Sequence, residues 1–316
     1  MLCEGMLKTA VYRLDMSVNL RLVLMDSGQL FHWRVADDLA AGDESPRPDS
    51  YIAVVENRAV MVRALDGGLE ITEYISEVES GDKIDMAKGR AFWSRYFDAT
   101  RDYGALRDSC ARFPRVREAM EALPGLRVLN QPPWEALIAF ILSANNNVAR
   151  IRRLVNDLGR ELGKRYEAAG QAVYSFPEPL AIVGAGEARL RALGVGYRAP
   201  YLTDTARLVA EGFPLEELAA MPYDRAHARL LQLPGVGPKV ADCVLLFGCG
   251  HASATPVDVW MERVLRGWFS LSGSKAQIKR QAMALLGDQA GVVQQYLFHA
   301  ARTGVLDGRT DELTGG

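Results

Sequence analysis

Cysteine is scarce in this sequence of 316 residues, and long apolar runs are missing from it. The irregular spacing of Cys3, Cys110, Cys243 and Cys249 provides neither a disulfide framework nor the four-cysteine pattern of an iron–sulfur cluster. Nowhere do about 18 apolar residues run together, and charged residues interrupt the N-terminal stretch MLCEGMLKTAVYRLD. We therefore expect no membrane span, no secretion signal and a cytoplasmic location.

An excess of positive charge is also lacking. Lysine and arginine total 37 against 39 aspartates and glutamates, which leaves a formal net charge of -2. This balance predicts no broad attraction to polyanions, so any nucleic-acid surface must be local. Histidine is rare as well, and the four scattered residues indicate no zinc site: His32, His227, His251 and His299.

The first part of the chain has the pattern of strands. Residues 8 to about 75 alternate apolar and polar positions, and their β-branched runs are separated by Glu56-Asn57 and by Asp66-Gly67-Gly68. Both separators are credible hairpin turns, so we predict an antiparallel sheet.

From about residue 88 the apolar spacing becomes helical, as in residues 135–144, 148–162 and 261–269. Short breaks rich in glycine and proline separate these segments and predict a helical bundle. The fold class predicted is α+β. We expect an N-terminal sheet domain with linking helices over residues 1–115 and a helical domain over residues 116–316.

The segment YDRAHARLLQLPGVGPKVADCVLLFG predicts two helices joined by a glycine turn. Gly235 and Gly237 allow the backbone to approach a partner closely, and successive amides near a helix start favour a phosphate. This pattern is typical of a helix-hairpin-helix, which grips the DNA backbone without reading bases. A plain helical corner is the alternative for a glycine turn taken alone.

Lys239 lies in the first turn of the second helix, directly after Pro238. A cation at this end opposes the helix dipole, and one interpretation is that the dipole and partial burial both favour the neutral amine. A neutral amine is a nucleophile. A lysine that binds phosphate, or one that is simply solvated, is the alternative.

Asp258, in the segment ATPVDVWMERVL, stands where a helix should begin, and its simplest role is an N-cap. Its charge can also stabilise a cationic, sugar-like transition state if an amine nucleophile is near. The combination of Lys239 with Asp258 is therefore more informative than either residue alone.

The segments LPGVGPKVADCVLLF and TPVDVWMERV together resemble the helix-hairpin-helix DNA glycosylases, whose hairpin precedes a Gly/Pro-rich loop that ends in aspartate. Four further stretches are similar to the 8-oxoguanine DNA glycosylases of that superfamily: SGQLFHWR, PWEALIAFILSANNNVARI, LGVGYRAPYL and AGVVQQYLFHA. They occur in this order from residue 27 to about residue 300. The resemblance covers nearly the whole chain.

This resemblance implies a bifunctional enzyme that removes 8-oxoguanine opposite cytosine from double-stranded DNA. Lys239 would attack the sugar C1′, expel the base and form a Schiff base, after which β-elimination nicks the strand. Asp258 would be its electrostatic partner. The enzyme would act as a monomer and would not associate with a membrane. In a bacterium it would associate with the nucleoid.

The resemblance also assigns the recognition of the base, which must be flipped out of the stack. The carbonyl of Gly28 would accept a hydrogen bond from N7–H, which guanine lacks. Gln294 would bind the Watson–Crick edge and Phe298 would stack on the ring. Cys243, one helical turn after Lys239, completes the substrate site.

The remaining implied contacts are to DNA and to an ion. Asn145, Arg150 and Arg198 would contact the estranged cytosine, Tyr197 would wedge beside it, and Gly235 and Gly237 would approach the DNA backbone. No cofactor is expected for the chemistry, but a structural monovalent or divalent cation is expected at the carbonyls of Leu231, Leu233 and Val236. Without the resemblance, the asparagine triplet reads as a helix-capping turn and Tyr-Arg as surface.

Two positions depart from the family pattern. Trp260 stands where many members have a histidine that touches the DNA backbone, and Ala301 stands where they have an aspartate that partners it. The departures bear on the local phosphate contact and the catalytic rate, not on the lysine mechanism.

Two alternatives stay open at this stage. A related glycosylase for another damaged purine would share most motifs, although Lys239 argues against the alkylation type, which works without a catalytic lysine. A non-catalytic DNA-binding module would use the hairpin for phosphates only, and it would leave Asp258, Gln294 and Phe298 without a role.

Overall fold

The structure, a computed structural model, describes residues 8–36, 50–75 and 85–306, so Cys3 lies outside the described part. The strands are β1 (Lys8–Asp15), β2 (Arg34–Val35), β3 (Ser50–Val55), β4 (Arg58–Leu65), β5 (Gly68–Ile75), β6 (Arg165–Ala168) and β7 (Gln171–Tyr174). The α-helices are α1 (Met86–Tyr96), α2 (Tyr103–Ser109), α3 (Pro114–Ala122), α4 (Pro133–Ser143), α5 (Val148–Leu162), α6 (Pro179–Ala192), α7 (Ala199–Ala210), α8 (Tyr223–Leu230), α9 (Pro238–Gly248), α10 (Val259–Phe269), α11 (Lys275–Leu286) and α12 (Ala290–Thr303). No helix within these ranges combines the length and apolar character needed to cross a bilayer.

The N-terminal sheet is antiparallel, as the alternation predicts, with the strand order β1-β5-β4-β3-β2. Both predicted turns are present, since Val55 pairs with Arg58 and Leu65 pairs with Gly68 across two-residue connections. Gly67 adopts a φ of 75°, a conformation that glycine reaches without strain.

A second, two-stranded sheet interrupts the helical part, where β6 pairs with β7. Its Ala168 and Val173 pack with Ile52 and Val54 of β3 in a small apolar cluster. The expectation of helices alone after residue 88 missed this hairpin. Four-residue strands are too short for their alternation to stand out from the helical pattern around them.

The three helices singled out by periodicity are confirmed to within two residues as α4, α5 and α10. Each begins at a residue suited to that position. Pro133 starts α4, the side chain of Asn147 caps α5 by accepting from the Arg150 N–H at 2.9 Å, and Asp258 caps α10.

One apolar core continues from the sheet into the helices. Trp33, Trp93, Tyr96 and Phe97 are all fully buried in it. The Trp33 indole N–H donates to the Tyr96 hydroxyl at 2.9 Å, which joins the N-terminal segment to α1. The division between residues 115 and 116 stays a prediction.

Candidate active site

The helix-hairpin-helix is formed by α8, a glycine turn and α9. Gly235 has a φ of +77°, and a Cβ added there would stand 2.7 Å from the Cβ of Tyr201. Backbone conformation and close packing therefore both require glycine at this position. Gly237 has a φ of -93° and precedes Pro238, the first residue of α9.

Lys239 faces a cavity of about 1230 Å³ that is bordered by α9, α10, α11 and the end of α4. Its Nζ donates to the Ser143 hydroxyl at 3.4 Å and lies 5.2 Å from the centre of the Phe140 ring. Cys243 is buried one turn further along α9. Burial raises the pKa of its thiol to about 11, although the adjacent lysine opposes the shift.

Asp258 lies on the wall of the same cavity as Lys239. Its Oδ1 accepts from the Met261 N–H at 2.7 Å, so the carboxylate is held as the N-cap of α10. No described residue donates a hydrogen bond to Oδ2. The structure thus brings the two residues singled out from the sequence to one cavity, although 19 positions separate them along the chain.

A buried charge network on this wall has no counterpart in the sequence-based expectations. Asp242 is 1% exposed, accepts from the Tyr223 hydroxyl at 2.6 Å and pairs with Lys279 at 2.6 Å. Burial raises the pKa of the Asp242 carboxyl, and Lys279 and Tyr223 oppose that shift. An aspartate within the apolar run ADCVLLF was the one signal available.

Basic side chains on α10 and α11 border the cavity at Arg263, Lys275 and Arg280, besides the Lys279 that pairs with Asp242. This is the kind of local concentration that a chain of net charge -2 needs in order to attract a polyanion. Trp260 also lines the cavity, and its indole N–H has no hydrogen-bond partner among the described residues.

Of the base-recognition residues of the sequence analysis, Gly28 and Phe298 both lie near the Arg302 guanidinium, and Gln294 belongs to the same helix as Phe298, α12. The Gln295 side chain donates to the Ser27 carbonyl at 3.0 Å and so ties the loop around Gly28 to the helix. Gln294 is 3% exposed, and its Oε1 has no hydrogen-bond partner among the described residues. Phe298 is half-buried, and Gly28, Gln294 and Phe298 are not on the wall of the Lys239 cavity.

Three of the four residues assigned to the estranged cytosine and to the wedge beside it contact one another. The Asn145 amide donates to the Tyr197 hydroxyl at 3.4 Å, and Tyr197 is 50% exposed. Arg198 lies with its guanidinium 4.5 Å from the Tyr197 ring centre and donates to the carbonyls of Ala144 and Asn145 at 3.0 and 3.1 Å. Arg150 is exposed, and its guanidinium donates to the Gly194 carbonyl at 3.4 Å. A base contact by Arg198 therefore requires exchange of these backbone bonds.

The carbonyls assigned to a cation lie in the hairpin. The Leu233 carbonyl accepts a hydrogen bond from the Val236 N–H at 3.1 Å, and its second lone pair is left for a cation. Leu231 is exposed and Val236 is buried. Among the described residues no group of three or more His, Cys, Asp or Glu side chains could hold a metal ion.

The two departures from the family pattern are both accommodated by apolar packing. Ala301 is 2% exposed within the core, and Trp260 packs against that core. The positions that would carry a histidine and an aspartate thus contribute apolar packing here.

Comparison with known proteins identifies the family. Residues 11–137 match the family model described as 8-oxoguanine DNA glycosylase, N-terminal domain, and residues 138–287 match that of the HhH-GPD superfamily of base excision DNA repair proteins. A probable N-glycosylase/DNA lyase of Methanothermobacter thermautotrophicus is 34% identical over 273 residues, which are 78% of this chain and 84% of that protein. The chain belongs to the N-glycosylase/DNA lyases of the HhH-GPD superfamily.

Two further relatives of this N-glycosylase/DNA lyase span most of its length. The N-glycosylase/DNA lyase of Saccharomyces cerevisiae is 32% identical over 270 residues, 81% of this chain and 70% of that protein. The crystal structure of the Clostridium acetobutylicum 8-oxoguanine glycosylase/lyase, in complex with double-stranded DNA containing cytosine opposite 8-oxoG, has a TM-score of 0.80 at 28% identity and covers 95% of this chain and 99% of that one. The predicted family and fold class are confirmed.

Proposed function

We propose that this enzyme removes 8-oxoguanine opposite cytosine from double-stranded DNA and then nicks the abasic site, with Lys239 as nucleophile. The observation that carries the proposal is the position of Lys239 and Asp258 on the wall of one cavity. A carboxylate that caps a helix is well suited to stabilise positive charge at the sugar, because the Met261 N–H fixes Oδ1 of Asp258 while Oδ2 remains available.

The chemistry follows from these two groups. The lone pair of the Lys239 amine forms a bond to C1′ as the C1′–N9 bond breaks, and the departing base takes up a proton. Opening of the sugar ring gives the Schiff base. Loss of a C2′ proton then expels the 3′ phosphate by β-elimination. Positive charge develops at the sugar in the first step, where Asp258 stabilises it.

Recognition of the lesion is proposed for the site between the Gly28 loop and α12. Support comes from Gln294, because a buried amide oxygen without a donor is costly unless a ligand supplies one. The amino and N1–H groups of a guanine are such donors. Phe298 is half-buried and would stack on the base, and Gly28, with a φ of +73°, permits close approach of its carbonyl to N7–H.

The contacts with the rest of the duplex are proposed for three surfaces. The cluster of Asn145, Arg150, Tyr197 and Arg198 would fill the gap and contact the estranged cytosine. The hairpin, with a monovalent or divalent cation at its carbonyls, would bind one phosphate. The basic border of the cavity would bind others, in place of the histidine that Trp260 replaces. The enzyme is proposed to act as a monomer.

Borohydride trapping on a duplex with 8-oxoguanine opposite cytosine tests the proposal. The wild-type protein should form a covalent adduct, and Lys239→Gln should abolish it without loss of folding. Lys88→Gln, on an exposed side chain of α1, removes the same charge and should trap like the wild type. Absence of an adduct from folded wild-type protein contradicts the proposal, and preferential excision of another damaged purine in competition would redirect it.

A further inference from the structure

Arg302, near the end of α12, lies at the proposed base-recognition site and plays no part in the function described so far. Its guanidinium carbon is 5.6 Å from the centre of the Phe298 ring. Its Nη1 is 3.5 Å from the point where a Cβ on Gly28 would stand. The guanidinium therefore lies close both to the residue proposed to stack on the base and to the residue proposed to read N7–H.

The two terminal nitrogens of this guanidinium differ in their hydrogen bonds. Nη2 donates to the Asp26 carbonyl, two residues before Gly28, which anchors the side chain to the loop. Nη1 donates to none of the described residues. A guanidinium has five N–H donors in a rigid plane, so this arm keeps donors available beside Gly28.

The chemistry of the lesion places an acceptor next to the group that Gly28 would read. In 8-oxoguanine, N7–H and the C8 carbonyl are neighbours on the edge of the five-membered ring. A base that stacks on Phe298 with N7–H directed to the Gly28 carbonyl also directs its C8 oxygen toward the Gly28 side of the pocket. That is the side on which Nη1 lies.

We propose that Arg302 is a specificity residue that donates a hydrogen bond to the C8 oxygen of the flipped base. This inference rests on the proposed function. Guanine has a hydrogen at C8 and offers no acceptor there, so the contact forms only with the oxidised base. Together with the Gly28 carbonyl it makes a donor–acceptor pair that matches both changes produced by oxidation, one at N7 and one at C8.

Single-turnover excision by Arg302→Leu, measured against two lesions, tests the proposal. The second lesion is 8-thioguanine, which keeps N7–H and the stacking surface but carries sulfur, a weak acceptor, at C8. We expect the variant to lose roughly tenfold in rate on 8-oxoguanine, the size of one charge-assisted hydrogen bond, and less than about twofold on 8-thioguanine. Arg302→Lys keeps a charged donor and should recover part of the selectivity.

Two controls separate the contact from other effects. Arg117→Leu removes the same charge from an exposed position of α3 and should leave both rates unchanged. Cleavage of a preformed abasic site, which has no base to contact, should be the same for Arg302→Leu and the wild type.

An equal loss on the two lesions, no loss on either, or a faster rate from Arg302→Leu would each overturn the role of Arg302. The last result would show that the side chain obstructs the pocket rather than reading the base. If the wild-type protein itself excises no 8-oxoguanine but cleaves the abasic site, the proposed substrate fails instead.

Discussion

A buried carboxyl at the joint between the sheet and the helices makes the stability of this enzyme depend on pH in a defined direction. Glu135 of α4 is 3% exposed and accepts from the backbone N–H of Glu56, in the β3–β4 turn, at 3.0 Å. Burial raises the pKa of Glu135 to about 8, while burial lowers the pKa of the neighbouring His32 to about 3. Both side chains are therefore neutral near pH 6 in the folded protein.

The perturbation is Glu135→Gln, which keeps the shape and the acceptor but cannot ionise. In the folded wild-type protein Glu135 holds a proton, which the unfolded chain releases once the pH rises above the ordinary glutamate pKa of 4.5. The stabilisation is complete below that value and is lost as pH rises through about 8. Each pH unit in this window is worth about 1.4 kcal/mol. From pH 5.5 to pH 7.5, the free energy of unfolding of the variant should rise by about 3 kcal/mol relative to the wild type.

Urea unfolding followed by tryptophan fluorescence measures this difference, since Trp33 and Trp93 are buried. The lowered pKa of His32 acts in the other direction. Its contribution to stability is present above pH 6.5 and is lost as the pH falls toward about 3. That contribution is common to both proteins and cancels to first order. Glu121→Gln, at an exposed side chain, should give a flat difference. A flat difference for Glu135→Gln, or one that falls with pH, would show that His32 and Glu135 are a charged pair and refute the reasoning.

Further substitutions test the hairpin turn, the Asp242–Lys279 pair and the Asp258 cap. Gly235→Ala should lower the free energy of unfolding by about 2–4 kcal/mol, because the backbone is strained and the new Cβ clashes with Tyr201. In Gly237→Ala the new Cβ meets nothing within 4 Å, so the loss should be less than about 1 kcal/mol in the same urea assay. Asp242→Asn should cost about 3 kcal/mol because Lys279 loses its buried partner, and the double variant with Lys279→Met should recover most of this in thermal unfolding. Asp258→Asn keeps the N-cap of α10, so it should preserve stability while it slows borohydride trapping. Asp258→Ala should slow trapping and also lower the free energy of unfolding by about 0.5–2 kcal/mol. Equal losses of stability in the two variants would contradict the assignment of Asp258 as both cap and catalytic group.

Local features of this fold could be predicted from the sequence because their signals lie within a few residues. Glu56-Asn57 marks a two-residue turn, Asp258 marks the start of α10, and Gly235 with Pro238 marks the hairpin. Each depends on a backbone conformation or an unpaired N–H that only certain residues satisfy. The assignment of Lys239, Gln294 and Phe298 to a reaction came from resemblance, because an isolated lysine, glutamine or phenylalanine on a helix has no unique role.

The contacts that shape the two sites were decided by tertiary structure. Lys279 reaches Asp242 from 37 positions away, and Arg302 reaches the Asp26 carbonyl from 276 positions away. The partner of an arginine or lysine on a helix surface cannot be predicted from the neighbouring sequence, because it is set by how whole helices pack. The sequence by itself therefore determined the N-terminal antiparallel sheet, helices α4, α5 and α10, the cap at Asp258 and the helix-hairpin-helix of this protein. Which buried carboxylate is paired, and which guanidinium lies beside Gly28, depended on long-range packing that no short stretch of residues encodes.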